Sequence, residues 1–162
     1  MIPPGTLPSF RTKYLITEVK HPIHTDLYRI MALEDFGNVK RSDFGGFVRS
    51  YNNLDVKNSA WIYDDSIISG NARVLDGATV KNGSHIRDEV YIYGQASILS
   101  SSIKGCSRVF DRAVVIDSVI LQNVWVHGDA TIKNSILTDD VAVYGKMKID
   151  GMKIKGYQRL YL

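Results

Sequence analysis

The chain has 162 residues, 44% of them hydrophobic, and a formal net charge of +3, which sizes it for one domain able to bury its own core. No apolar run is long enough to span a bilayer and no basic, apolar leader opens the chain, so the composition fits a soluble cytoplasmic protein with no membrane partner. One cysteine, Cys106, excludes an internal disulfide and a metal framework built on cysteine.

Residues 1 to 12, with three prolines, read as a loose tail. Next come two strand-like runs, "KYLITEVK" and "LYRIMALEDF", separated by "HPIHTD", which predicts a hairpin. Residues 1 to 57 are therefore expected to form a tail and a β-hairpin cap that covers the open edge of whatever follows.

From residue 58 the sequence repeats. Triplets of a small residue, any residue and an aliphatic one begin at Ala60, Ser66, Ala72, Ala78, Ser84, Val90 and Ala96, in steps of six. They continue at Ser101, Ser107, Ala113, Ser118, Val124, Ala130, Ser135, Val141, Met147 and Met152, in steps of five, six and six. A fixed period of this kind marks a solenoid, in which each coil buries its face only against its neighbours. Within a triplet the first and third residues should point inward and the middle one outward, as in a strand. Three short strands per coil make a triangular prism of about six coils over residues 58 to 162, roughly 25 Å tall. The shortening from eighteen to seventeen falls at one corner every time, which keeps strand stacked over strand.

The residues closing the third side, Leu75, Tyr93, Phe110, His127 and Tyr144, should stack in one ladder at roughly 4.8 Å per layer. Gly94, Gly128 and Gly145 follow them, with Asp76 and Asp111 in equivalent places, as corners with positive φ favour. The final coil carries Lys146, Lys148, Lys153, Lys155 and Arg159 against Asp150. The basic character thus sits at that end, where lysines serve as gatekeepers of an open edge.

The triplets resemble the hexapeptide repeat of left-handed β-helix proteins, and "GNARVLDGATVKNGS" is similar to that of YdcK-like and phage-borne members. The leader "LYRIMALEDFGNVKRSDFGGFVRSYNNL", with "DFGGFV" at Asp43 to Val48, resembles the segment those proteins place ahead of their repeats. The resemblance covers residues 27 to about 100 best and implies a left-handed hand for the coil. Members are often labelled transferases on fold alone, and fold does not fix function.

Candidate chemistry is sparse. Hexapeptide-type acyltransferases use a histidine base near a groove between subunits, but His127 continues the aromatic ladder, and no insertion breaks the coils from Asn58 to Leu162. His85 is an outward residue, and His21 and His24 form H-x-x-H in the hairpin, a weak metal signal on its own. The outward file of the first side, Trp61, Thr79, Ser97, Val114, Thr131 and Lys148, lacks the uniformity of an ice-binding surface. No catalytic, cofactor-binding or metal residue is assigned, and no cofactor or nucleic acid is expected. The second side presents Ile67, His85, Ser102, Val119, Ile136 and Lys153, and the third presents Arg73, Tyr91, Arg108, Trp125 and Ala142. Stacked outward apolar residues mark a contact surface, so Ile67, Val119, Trp125 and Ile136 are the candidate interface.

The sequence reads as an all-β, left-handed parallel β-helix with an N-terminal β cap, acting as a non-catalytic rigid binding or scaffold protein. Its expected partner is another protein or a second copy, a homotrimer being what the fold suggests. By resemblance, a phage or prophage origin and a host factor as target belong to the same reading. The alternative is a hexapeptide-type acyltransferase with a site at a subunit interface.

Overall fold

In the computed structural model, which describes residues 1–162, the chain is all β and winds into a parallel β-solenoid of about seven turns. It contains no helix, hence none long and apolar enough to cross a membrane.

Strands β1 (Tyr14–Lys20) and β2 (Tyr28–Ala32) form the predicted antiparallel hairpin. Strand β3 (Phe44–Val48) pairs antiparallel with β2 on one edge and parallel with Ile67–Ile68 on the other. It is thus both the last strand of the cap and the first rung of the prism, which accounts for the turn beyond the six expected. Gly45 and Gly46 of "DFGGFV" make this junction close-packed. A Cβ at Gly45 would meet the carbonyl oxygen of Ile62 at 2.6 Å, and one at Gly46 that of Ser66 at 2.3 Å. The loose tail predicted for residues 1 to 12 is pinned to the cap: Gly5 N–H donates to Ile16 O, Phe10 packs edge-on against Tyr51, and Arg11 pairs with Glu34 at 3.4 Å.

Three faces follow. Face one stacks Trp61–Ile62, Thr79–Lys81, Ser97–Leu99, Val114–Ile116, Thr131–Lys133 and Lys148–Asp150. Face two continues from β3 through Ile67–Ile68, His85–Ile86, Ser102–Ile103, Val119–Ile120, Ile136–Leu137 and Lys153–Ile154. Face three stacks Arg73–Val74, Tyr91–Ile92, Arg108–Val109, Asn123–Val126, Asp140–Tyr144 and Tyr157–Tyr161. The third residues of the triplets, such as Val80, Ile98, Val115 and Ile132, fill the axis. A continuous cluster of 34 buried residues joins them to Tyr14, Ile16 and Ile30, so cap and prism share one core.

Each corner turns on a residue with positive φ. One corner runs Asp64, Asn82, Ser100, Asp117, Asn134, Gly151; the next Gly70, Asp88, Gly105, Gln122, Asp139, Gly156; the third Asp76, Gly94, Asp111, Gly128, Gly145. The last series matches the residues predicted for it. Side-chain oxygens of one rung accept N–H groups of the rung after it. Asp76 takes Gly94, Asp88 takes Gly105, Asp111 takes Gly128 and Asp139 takes Gly156, at 2.9–3.1 Å. A buried serine file does the same inside the prism: Ser66, Ser84, Ser101, Ser118 and Ser135 accept the N–H of Ser84, Ser101, Ser118, Ser135 and Met152 in turn. At the turn into face two the small residue therefore serves through its hydroxyl as well as its size, and no buried side-chain nitrogen or oxygen lacks a partner.

Candidate functional site

The predicted ladder stands at the third corner. Tyr93, Phe110, His127 and Tyr144 stack at 4.8, 4.7 and 5.1 Å with rings within 5° of parallel, and Tyr161 extends the file at 5.3 Å. His127 is held between two rings, its Nδ1 3.7 Å from the Asp111 carboxylate.

Cap contacts overturn two of the outward positions read from the triplets. Ile67, one of the candidate interface residues, is only 4% exposed and packs with Leu27 and Phe47 beneath the hairpin loop. Trp61 is buried against Tyr14 and Phe36. Both lie on the first full rung, where the cap crosses the outer surface. Lys13 locks this crossing: its Nζ donates to the carbonyls of Asn58 and Ala60 and lies 4.8 Å from the Phe36 ring centre. Burial lowers its pKa to about 8, against the raising pull of Asp55 and Glu34.

The other three candidates are at the surface. Val119 and Ile136 are adjacent in register on face two and 36% and 38% exposed, while Trp125 on face three is 42% exposed. The Trp125 indole N–H donates to Asn123 Oδ1, and its ring meets Phe110 edge-on at 6.4 Å. One rung earlier, Arg108 inserts its guanidinium between the rings of Trp125 and Tyr91, at 5.4 and 5.1 Å.

The structure also assembles a group that the sequence leaves scattered. The loop between β1 and β2 projects over face two and brings His21 and His24 near His85, with ring centres 5.0 Å apart for the first pair and 6.4 Å for His24 and His85. His24 and His85 line a cleft of about 420 Å³ with Asp26, Arg87, Ser69 and Ser102. His21 forms the hinge of the loop: its Nδ1 accepts the N–H groups of Ile23 and His24, and its ring stands edge-on to Phe47. A neutral imidazole has one nitrogen lone pair, so His21 spends on its own loop the pair a metal would need. No group of three metal-ligating side chains is assembled anywhere in the chain. Burial, then the neighbouring His24, lowers the pKa of His21; burial, then His24, His21 and Arg87, lowers that of His85.

No family model matches the chain, and no curated protein matches it either. The class defined by the fold is a parallel β-solenoid closed at its N-terminal end by an antiparallel cap.

Proposed function

We propose that the chain is a rigid binding or scaffold protein that works through the outer surface where faces two and three adjoin. The observation that carries this reading is the exposure of Val119, Ile136 and Trp125 on strands fixed by pairing on both sides. Apolar and aromatic side chains held on a rigid support lose little entropy on contact. The partner is a protein or a second copy, with a trimer as the self-assembly to look for. Kinship with phage-borne hexapeptide-repeat proteins, a left-handed coil and a host factor as target complete the reading, supported by the triplet pattern and the "DFGGFV" leader.

The test is the double variant Val119→Lys with Ile136→Glu. It sets opposite charges side by side and the acid next to Lys153, so the rungs gain no like-charge repulsion. Its β circular dichroism and melting temperature should match the parent, while self-association by light scattering, or capture of the partner, should be lost. Parent-like association in the folded variant rejects this surface.

A second reading is favoured by the cleft. A loop over a histidine-lined recess is what an acyltransferase needs and what uninterrupted coils alone would not offer, with His85 or His24 as general base. Coenzyme A release from acetyl-coenzyme A in the presence of amine and hydroxyl acceptors, abolished in a folded His85→Ala variant, would replace the binding reading with this one.

A further inference from the structure

We propose that Arg108 is the recognition residue of this surface and that it receives a carboxylate from an acidic segment of the protein partner. The proposal rests on the contact-surface reading given above and names the chemistry of its partner.

Three arginines line the outer side of face three, and they are not equivalent. Arg159 forms an ion pair with Asp140 at 2.6 Å and also donates to backbone carbonyls. Arg73 donates its Nε to Asn52 O. Arg108 has neither an ion-pair partner nor a hydrogen-bond acceptor in the protein, although it is half-buried. Its guanidinium is held instead by Tyr91 and Trp125, which stand in the rungs before and after it. A cation–π contact draws on the charge of a guanidinium and leaves its N–H donors unspent. A cation oriented this way, partly desolvated and unpaired, is arranged for the two parallel hydrogen bonds a carboxylate accepts.

The surroundings favour one acid over a polyanion. Along this file the next outward residue after Trp125 is Ala142, and the one after that is Arg159, already neutralised by Asp140. The adjoining corner carries the carboxylates of Asp76 and Asp111. A nucleic acid backbone needs a row of free cations, and this face supplies only two without an ion pair, Arg108 and, two rungs earlier, Arg73, which already donates to Asn52 O, beside a corner that carries acids. An Asp or Glu beside an apolar side chain fits better, the acid on Arg108 and the apolar group on the exposed Trp125 ring. Tryptophan, tyrosine and arginine are also the residues that dominate protein contact sites.

The probe is a library of random linear peptides displayed and panned on the immobilised protein, followed by synthesis of the enriched peptides. Of the two tryptophans, Trp61 is buried and Trp125 exposed, so binding at this surface reads out as a change in Trp125 emission. Enriched peptides should carry Asp or Glu. Replacing that acid by its amide should weaken binding to the parent protein about tenfold to a hundredfold, a result independent of how any protein variant folds. Arg108→Gln should cost as much, Arg108→Lys should restore part of it, and amide peptide with Arg108→Gln should show no further loss. A purely structural Arg108 would change the melting temperature and leave this coupling absent. Acid-free peptides that need Trp125 but not Arg108 would overturn the carboxylate assignment and leave the contact surface standing. Failure of every peptide to perturb Trp125 would overturn both. Single-stranded oligothymidylate binding more tightly than any peptide would overturn the acidic protein partner in favour of nucleic acid.

Discussion

Replacing Ser118 by alanine tests whether the serine file, and not the size of its residues, holds the coils in register. Ser118 Oγ donates to Ile116 O at 2.7 Å and accepts the N–H of Ser135 at 3.1 Å, both inside the prism. Alanine fills the same inward turn and creates no cavity beyond one oxygen atom. It leaves the Ser135 N–H buried without an acceptor, while Ile116 O keeps a second donor in the Asn134 N–H. One orphaned N–H plus one lost hydroxyl bond amounts to about 2–3 kcal/mol, or a fall of roughly 5–10 °C in melting temperature for a chain of this length. The control is Ser102→Ala, an outward serine on the preceding rung of face two whose hydroxyl makes no hydrogen bond in the protein, with an expected change within about 0.5 kcal/mol. Thermal unfolding followed by circular dichroism compares the two. If Ser118→Ala melts together with Ser102→Ala, the file is a matter of small size alone and the hydrogen-bond argument fails.

Two further outcomes follow from the histidines. His127→Phe keeps a flat ring between Phe110 and Tyr144 and gives up only the distant Asp111 carboxylate, so the melting temperature should hold or rise, and a loss of more than about 1 kcal/mol would count against the ladder as the reason for this residue. His21 and His85 have folded pKa values below the ordinary imidazole value of 6.5, for the reasons of burial and neighbouring imidazoles given above. The unfolded chain therefore takes up protons that the fold refuses: their contribution is complete above about pH 6.5 and is lost as pH falls from there through the lowered folded values. Melting temperature should drop over that window, and the drop should shrink in the His21→Asn, His85→Gln double variant, whose neutral side chains face the same Asp26, Asp65, Arg29 and Arg87. A pH profile unchanged by the double variant would refute the assignment.

Much of the prism could be read because its determinants are local. The triplets put Val80, Ile98, Val115 and Ile132 on the axis, the seventeen-residue spacing predicted the stack of Tyr93, Phe110, His127 and Tyr144, and Asp76 and Asp111 were marked as corner residues. Carrying the same count one step further would have reached Tyr161. What the pattern could not show was the path of the cap, which depends on contacts between residues far apart in the chain. Trp61 is covered by Tyr14 and Phe36, and Ile67 by Leu27 and Phe47. A rule that assigns the middle residue of each triplet to solvent fails wherever another segment lies on top. The buried Lys13 and the meeting of His24 with His85 have the same origin, since neither end of the contact carries a local mark of the other. The stack of Tyr91, Arg108 and Trp125 was within reach of the spacing, but a count of positions does not say which side chain spends its hydrogen bonds.

The bonds between rungs that join a side-chain oxygen to a backbone N–H run one way: the oxygen belongs to the earlier rung and the N–H to the later one, from Asp64 to Asn82 at one corner and from Asp139 to Gly156 at another. The solenoid therefore has a direction of growth. As the chain leaves the ribosome the cap and β3 come first, and each completed rung then presents fixed oxygens to the segment still arriving. Every new coil is seeded by its predecessor, so the long-range pairing of a parallel sheet is broken into a series of short closures, each over a single turn. A permuted chain that supplied the cap last would keep the order of the rungs and lose only the β3 edge on which the first of them forms.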